Sequence, residues 1–339
     1  MSHRYEREQT EAIKAVVHAG RLCRAVRAEV NPGVLDKRDR SPVTVADFGS
    51  QAIIGRSLQA GFPADPIIAE EDSAQLQEPK NAPLLAQVVH HVRSILHDQG
   101  CDLSPDQVCS WIDRGRNREY CDRFWTLDPI DGTKGFLRNE QYAIALALIV
   151  QGKVVAAALA CPNLAAEAGS VSTGMGVGVV FTAATGQGAL AMPMDDDPAG
   201  GSWRALRVSA REDPATGRFC ESVEAGHSDQ GDSAAIAAQL GITSPPLRLD
   251  SQAKYGVVAR GEAEIYLRMP TATDYREKIW DHAAGSLIVQ EAGGVVTDIN
   301  GRPLEFHHGR ELTANRGVVA ANSHFHGRVL EALHARNWR

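Results

Sequence analysis

The sequence predicts a mixed α/β chain, with an antiparallel sheet and helices in its first half and a smaller α/β region in its second. Three observations carry this. Residues 6–28 are amphipathic with a helical period, which sets Ile13, Val16, Val17, Leu22 and Val26 on one side. Residues 142–150 and 153–161 are long apolar runs joined by Gln151-Gly152, a hairpin turn pair that favours antiparallel pairing. Beyond residue 202 short apolar strands alternate with helical stretches.

In chain order, the first helix ends at Asn31-Pro32-Gly33, and residues 36–42 form a charged loop. A second helix starts near Thr44 and runs to Gly61; Thr44 and Asp47 have the spacing of a capping box. Residues 66–69 are a short strand leading into Glu70-Glu71-Asp72, and 74–122 read as helix and connecting loops. Residues 124–127 are a buried strand leading into Asp128-Pro129-Ile130-Asp131-Gly132-Thr133. The hairpin follows. Residues 170–202 are rich in Gly, Ala and Asp, which marks a domain boundary or a surface excursion and divides the chain into 1–200 and 201–339. Strands are then expected near 206–209, 219–223, 247–250 and 264–267, and helices at 233–240 and 252–259. A last helix follows Asp281 and ends at Gly293-Gly294. Asn300-Gly301 then joins 295–298 to 303–306 as a hairpin.

Composition narrows the function. With 339 residues, 43% of them hydrophobic, the chain can bury a large core. A net charge of −7 gives no broad basic face for nucleic acid. No apolar run approaches the length of a membrane span, and the N-terminus has no signal-peptide core. The six cysteines (23, 101, 109, 121, 161 and 220) show no C-x-x-C pair and read as reduced thiols of a cytoplasmic protein. Cys101, Cys109 and Cys121 lie near one another, and a redox switch is the other reading. Gly174-Met175-Gly176-Val177-Gly178 has G-x-G-x-G spacing and no N-terminal βαβ unit, so it reads as a loop. His90-His91 and His307-His308 lack partner ligands at metal spacing and read as surface residues.

The chemistry lies in three acidic segments: Glu70-Glu71-Asp72, Asp128-Pro-Ile-Asp131-Gly-Thr133 and Trp280-Asp281-His282. Each sits where an apolar element ends. Carboxylates crowded into one site repel each other, and cations make such a cluster tolerable. Hard divalent ions held by carboxylates are the usual apparatus for hydrolysing a phosphate ester, so the pattern points to a magnesium-dependent phosphatase. Pro129 stops the strand from continuing as a regular ladder, and the turn can aim Asp128, Asp131 and the Ile130 carbonyl at one point with Glu70. Gly132 lets phosphate approach the backbone, and Thr133 can orient a water or pass a proton. Other readings stand beside these. Asp128 can cap its own backbone, Glu70 to Asp72 can be a solvated loop, and Asp281 can be a helix N-cap as well as a ligand. Asp47 is either part of the capping box or the partner of Thr133 in activating a water.

The three acidic segments resemble the signature of the lithium-sensitive, magnesium-dependent phosphatase superfamily that includes inositol monophosphatase. Ser41-Pro-Val-Thr-Val-Ala-Asp47, Ala69-Glu-Glu-Asp72, Asp128-Pro-Ile-Asp-Gly-Thr-Lys-Gly-Phe136, Glu224-Ala-Gly-His-Ser228, Asp250-Ser-Gln-Ala-Lys-Tyr-Gly256 and Lys278-Ile-Trp-Asp-His-Ala-Ala-Gly285 resemble its 3′(2′),5′-bisphosphate nucleotidase branch. The likeness runs from about residue 5 to 335. It implies a layered αβαβα fold. It implies two or three Mg2+ ions on Glu70, Asp128, the Ile130 carbonyl, Asp131 and Asp281, with Glu71 as a supporting acid. Asp47 and Thr133 would position and deprotonate the attacking water. His227, Ser251, Lys254 and Arg268, with Gly132 and Thr133, would hold a small nucleotide substrate. The implied reaction removes the 3′-phosphate of 3′-phosphoadenosine 5′-phosphate, and that of its sulfated precursor, in sulfur metabolism. Inositol phosphatase action and a non-catalytic metal- and nucleotide-binding regulator are the competing functions. The expected state is a monomer or weak homo-oligomer without nucleic-acid or membrane partners.

Overall fold

The structure is a computed structural model and describes residues 4–29, 41–96, 103–167, 177–223, 230–270, 272 and 274–336. Five layers stack, and each apolar face is covered by the next. Helices α1 (Glu6–Glu29) and α2 (Ser41–Gly61) form the first layer, packed on a seven-stranded sheet. That sheet runs in chain order: β1 (Ile67–Ala69), β2 (Arg123–Asp131), β3 (Ala143–Val150), β4 (Lys153–Cys161), β5 (Val179–Ala184), β6 (Ala189–Pro193) and β7 (Arg204–Ala205). Only β1 and β2 are parallel; every other neighbouring pair in it is antiparallel. Between β1 and β3 the chain also forms α3 (Ala82–Leu96), α4 (Pro105–Asp113) and α5 (Thr133–Arg138).

The opposite face of this sheet carries α7 (Ala253–Ala259) and α8 (Ala283–Glu291). Beyond them lies a second sheet ordered β11-β12-β10-β8-β9, with β8 at Phe219–Glu221, β9 at Leu247–Arg248, β10 at Ile265–Arg268, β11 at Val295–Thr297 and β12 at Val318–Ala321. Helices α6 (Gln230–Gln239) and α9 (Ser323–Ala335) close its far side around Phe219, Ile265, Leu267, Val319 and Phe325. This is the layered α/β architecture that the sequence implies.

The central hairpin shows why the layers hold. Along β3, Ile144, Leu146 and Leu148 point into the core under α1 and α2, while Ala143, Ala145 and Ala147 point toward α7 and α8. A strand buried on both faces needs an apolar residue at every position, hence the unbroken run in the sequence. Gln151 and Gly152 have φ of 50° and 71°, the left-handed pair that a two-residue hairpin turn requires.

Several expectations are corrected. Helix α2 begins at Ser41, three residues early, with Pro42 in its first turn, where a missing N–H costs nothing. Thr44 is therefore not its N-cap, and Asp47 lies in its second turn, outside any capping box. The described part of the Gly-rich stretch is no mere excursion, since β5 and β6 continue the first sheet through it. Residues 206–209 are not a strand, and residues 303–306 do not pair with β11. The buried Asp298 carboxylate accepts the amides of Asn300 and Arg302, both at 2.9 Å, and β11 pairs with β12 instead. His91 is buried and lies 3.3 Å from Glu29, not at the surface. The five described cysteines are free; Cys101 and residues 174–176 lie outside the described residues.

Candidate active site

Because β1 and β2 are parallel neighbours, they end at the same sheet edge, which delivers Glu70 beside Asp128 and Asp131. Strand β2 runs on to Asp131 through Pro129, but its pairing with β3 slips between Asp128 and Asp131. The expected turn is thus a bulge, in keeping with the amide that proline lacks. The Ser50 hydroxyl donates to the Pro129 carbonyl at 2.9 Å and pins the bulge to α2. Gly132, with φ of 86°, then swings the chain into α5; a Cβ there would sit 3.0 Å from that of Ser251. Thr133, the first residue of α5, is exposed at the mouth.

Asp281 ends a 3₁₀ turn, Ile279–Asp281, and the N-cap of α8 is His282. The N-cap reading of Asp281 is therefore overturned. Its carboxyl instead lines a cavity of about 310 Å³ with Glu70, Asp128, Ile130 and Asp131. Asp47 reaches toward this cluster from α2, buried and without a hydrogen bond to Thr133.

The cluster is electrostatically strained. Burial, then Glu70, Asp131, Asp281 and Asp47, pushes the Asp128 carboxyl well above the usual range. Burial, then Glu71 and Glu70, does the same to Asp47. Asp281 is pushed up to about 7 by burial and Asp131, against the pull of Arg268 and His282. Glu70 is raised by burial, then by Glu71 and Asp131, against the pull of Arg310 and a hydrogen bond with Asp128. Asp128 Oδ1 is buried without a hydrogen-bond partner. A vacant buried lone pair among like charges is what a hard cation would satisfy, and the donor set is all oxygen, as Mg2+ prefers. The residues therefore fit a divalent metal. Glu70, Asp128 and Asp131 do not bring one oxygen each within 4.8 Å of the others. Glu277, Asp281 and His282 do form such a set, but both nitrogens of His282 are hydrogen-bonded, to Tyr255 at 2.8 Å and Glu277 at 3.0 Å. Arg268 lies 2.8 Å from Glu277, so that set has no room for a cation.

A second cavity of about 130 Å³ adjoins the first, sharing Asp131, Gly132, Thr133, Arg268 and Asp281 and adding Ser251 and Lys254. Lys254 is not a solvated helix lysine: it is buried, donates to the Leu249 carbonyl at 3.2 Å and lies over the Tyr266 ring. Burial lowers its pKa, and Asp131, Cys220 and Asp250 oppose that. Ser251 has φ of 67°, a left-handed position at the start of α7. Arg268 closes the end of β10, its charge shared with Glu277. His227 lies outside the described residues.

Four supporting residues escaped sequence reasoning. The Gln252 amide N–H donates to Asp131 at 2.6 Å; its side chain donates to the Trp280 carbonyl at 2.8 Å and accepts from Gly285 N–H at 3.2 Å. One residue thus ties together the Asp131 and Asp281 segments. Gln51 holds the Glu71 main chain from both sides, at 2.7 and 3.2 Å. Arg310 stacks on Trp280 at 4.6 Å and donates to the Ala69 carbonyl at 3.1 Å. Although burial alone would raise it, Glu277 is held down at about 2 by Arg268 and His282. Gln252 lies inside one motif quoted above and Glu277 just before another, and that nearness is the only signal the sequence offers.

Residues 5–337 match the inositol monophosphatase family. A 3′(2′),5′-bisphosphate nucleotidase of Emericella nidulans is 46% identical over 97% of this chain and 98% of its own length. One of Oryza sativa is 44% identical over 97% and 94%. In structure, Mycobacterium tuberculosis SuhB superposes with a TM-score of 0.60, covering 99% of each chain at 23% identity, a likeness of fold. With its layers, its acid cluster and its matching sequence from end to end, the chain belongs to the inositol monophosphatase family.

Proposed function

We propose that the chain is a Mg2+-dependent 3′(2′),5′-bisphosphate nucleotidase that hydrolyses the 3′-phosphate of 3′-phosphoadenosine 5′-phosphate to AMP and phosphate, and accepts the 5′-phosphosulfate as well. The observation that carries it is the pair of joined cavities: one walled by carboxylates, the other holding the buried cation Lys254. A substrate with two phosphates fits both, one phosphate in each. The relatives' names support the same reading.

Glu70, Asp128, the Ile130 carbonyl, Asp131 and Asp281 would hold Mg2+, which when bound would supply positive charge to the phosphate oxygens and to the departing 3′-oxygen. The residues do the rest. Gly132 leaves open backbone against which the 3′-phosphate rests. Thr133 Oγ1 orients the attacking water, and Asp47, buried beside the acid cluster, takes its proton. The water oxygen bonds to phosphorus as the P–O3′ bond breaks in line. Lys254 Nζ, with two N–H donors beyond its bond to Leu249, and Ser251 hold the 5′-phosphate.

Phosphate release with Mg2+ tests this, comparing 3′-phosphoadenosine 5′-phosphate with inositol 1,4-bisphosphate and inositol 1-phosphate, each with and without lithium. The adenosine bisphosphate should be strongly preferred, and Lys254→Gln should raise its KM at least tenfold. Preference for an inositol phosphate would discard the account of the second cavity.

A further inference from the structure

We propose that Glu305, His307 and His308 form a separate binding site for a zinc-class transition-metal ion. The sequence places the two histidines side by side without an evident partner; the fold supplies one. His307 Nε2 and His308 Nε2 lie 3.4 and 3.0 Å from the same Glu305 oxygen, and all three donor atoms lie within 4.8 Å of one another. With metal–ligand bonds near 2.0–2.2 Å, the edge of a zinc tetrahedron is about 3.4 Å, close to both separations. Two imidazoles and one carboxylate, with both histidines partly exposed, leave a fourth position open to water. This donor set is softer than the all-oxygen cavity and selects a different ion.

The donors are held in place. The His307 ring sits against the β3–β4 turn, where a Cβ on Gly152 would come within 3.3 Å of Nδ1, so Nε2 is the outward atom. Tyr120 meets the ring edge-on at 6.3 Å. The Glu305 amide is accepted by Asn315 at 2.7 Å, and Asn315 also donates to the Pro303 carbonyl at 2.9 Å. The site is separate from the acid cavities, neither of which is lined by Glu305, His307 or His308.

The test is zinc titration by calorimetry on the full chain with saturating Mg2+, together with cobalt absorption, in the wild type, His307→Gln, His308→Gln and the double variant. The wild type should bind one zinc equivalent and give the intense visible bands of four-coordinate cobalt. Each single variant should weaken zinc at least tenfold, with Mg2+-dependent phosphatase activity and melting temperature unchanged. A double variant that binds zinc as tightly as wild type, or keeps the same cobalt spectrum, would overturn the proposal.

Discussion

Gln252 offers the sharpest test of how the two halves of the site are joined. In Gln252→Ala the main-chain bond to Asp131 can persist, but the Trp280 carbonyl loses its donor and the Gly285 amide its acceptor, all in the interior. An unsatisfied buried polar group costs about 1–3 kcal/mol, so two give about 2–6 kcal/mol. At about 2 °C per kcal/mol for a chain of this size, the melting temperature should fall by about 4–12 °C. Trp280 precedes Asp281, so the loss should also loosen that carboxylate and, on the proposed ligand set, raise the Mg2+ concentration at half-maximal activity more than it lowers the limiting rate. Gln252→Glu keeps an acceptor for Gly285 yet has no donor for Trp280, and it sets another carboxylate beside Asp131; it should be worse than alanine at pH 8. Melting curves and Mg2+ titrations of the three proteins measure this. An alanine variant within 0.5 kcal/mol of wild type, with an unchanged Mg2+ titration, would refute the clamp.

Asp128→Asn should abolish turnover yet stabilise the metal-free protein by about 1–3 kcal/mol, because it removes a buried, like-charged carboxylate; denaturant unfolding in EDTA reads this. Glu277 stabilises the fold above its ordinary pKa of 4.5, and that contribution is lost as pH falls toward 2; the difference of about 2.5 units bounds it at about 3 kcal/mol. Glu277→Gln should therefore unfold more easily at pH 7, leaving Arg268 buried beside a neutral amide, and its stability curve should approach wild type near pH 2. Gly285→Ala would drive a Cβ to 2.2 Å from the Tyr255 ring, so it should fail to accumulate as folded protein or melt far lower, as circular dichroism would show. Asp47→Asn should lose turnover while retaining Mg2+-dependent thermal stabilisation; full activity in that variant would remove Asp47 from proton transfer.

What the sequence made legible follows from locality. The β3–β4 hairpin was readable because both its apolar period and its turn pair are local, and Asp128 to Thr133 because a proline between two acids has few other uses. Asp281 was read at the right place with an ambiguous role, since the residue before a helix caps it or does not according to one dihedral choice; the 3₁₀ turn decides it. Strands β5 and β6 were missed because small, glycine-flanked segments carry little period, and sheet neighbours supply what propensity does not. The Gln252 clamp was illegible because its partners are 28 and 33 residues away.

The alanines of the hairpin connect packing to chemistry. On β3 the face under α1 and α2 carries Ile144, Leu146 and Leu148, whereas the face toward α8 carries Ala143, Ala145 and Ala147. Small side chains let α8 approach the sheet, and α8 packs on both strands. The turn before α8 carries Asp281, so the distance from α8 to the sheet sets how far Asp281 stands from Asp128 and Asp131. The repulsion among those acids would widen that gap; burial of the alanine face and the Gln252 bridge oppose it. A larger residue on this face, such as Ala145→Leu, would act with the repulsion rather than against it. It should therefore reduce Mg2+ affinity, Ala145 standing directly opposite Asp128 on β2, while the equivalent enlargement on the other face, Leu146→Phe, should lower stability without that selective effect.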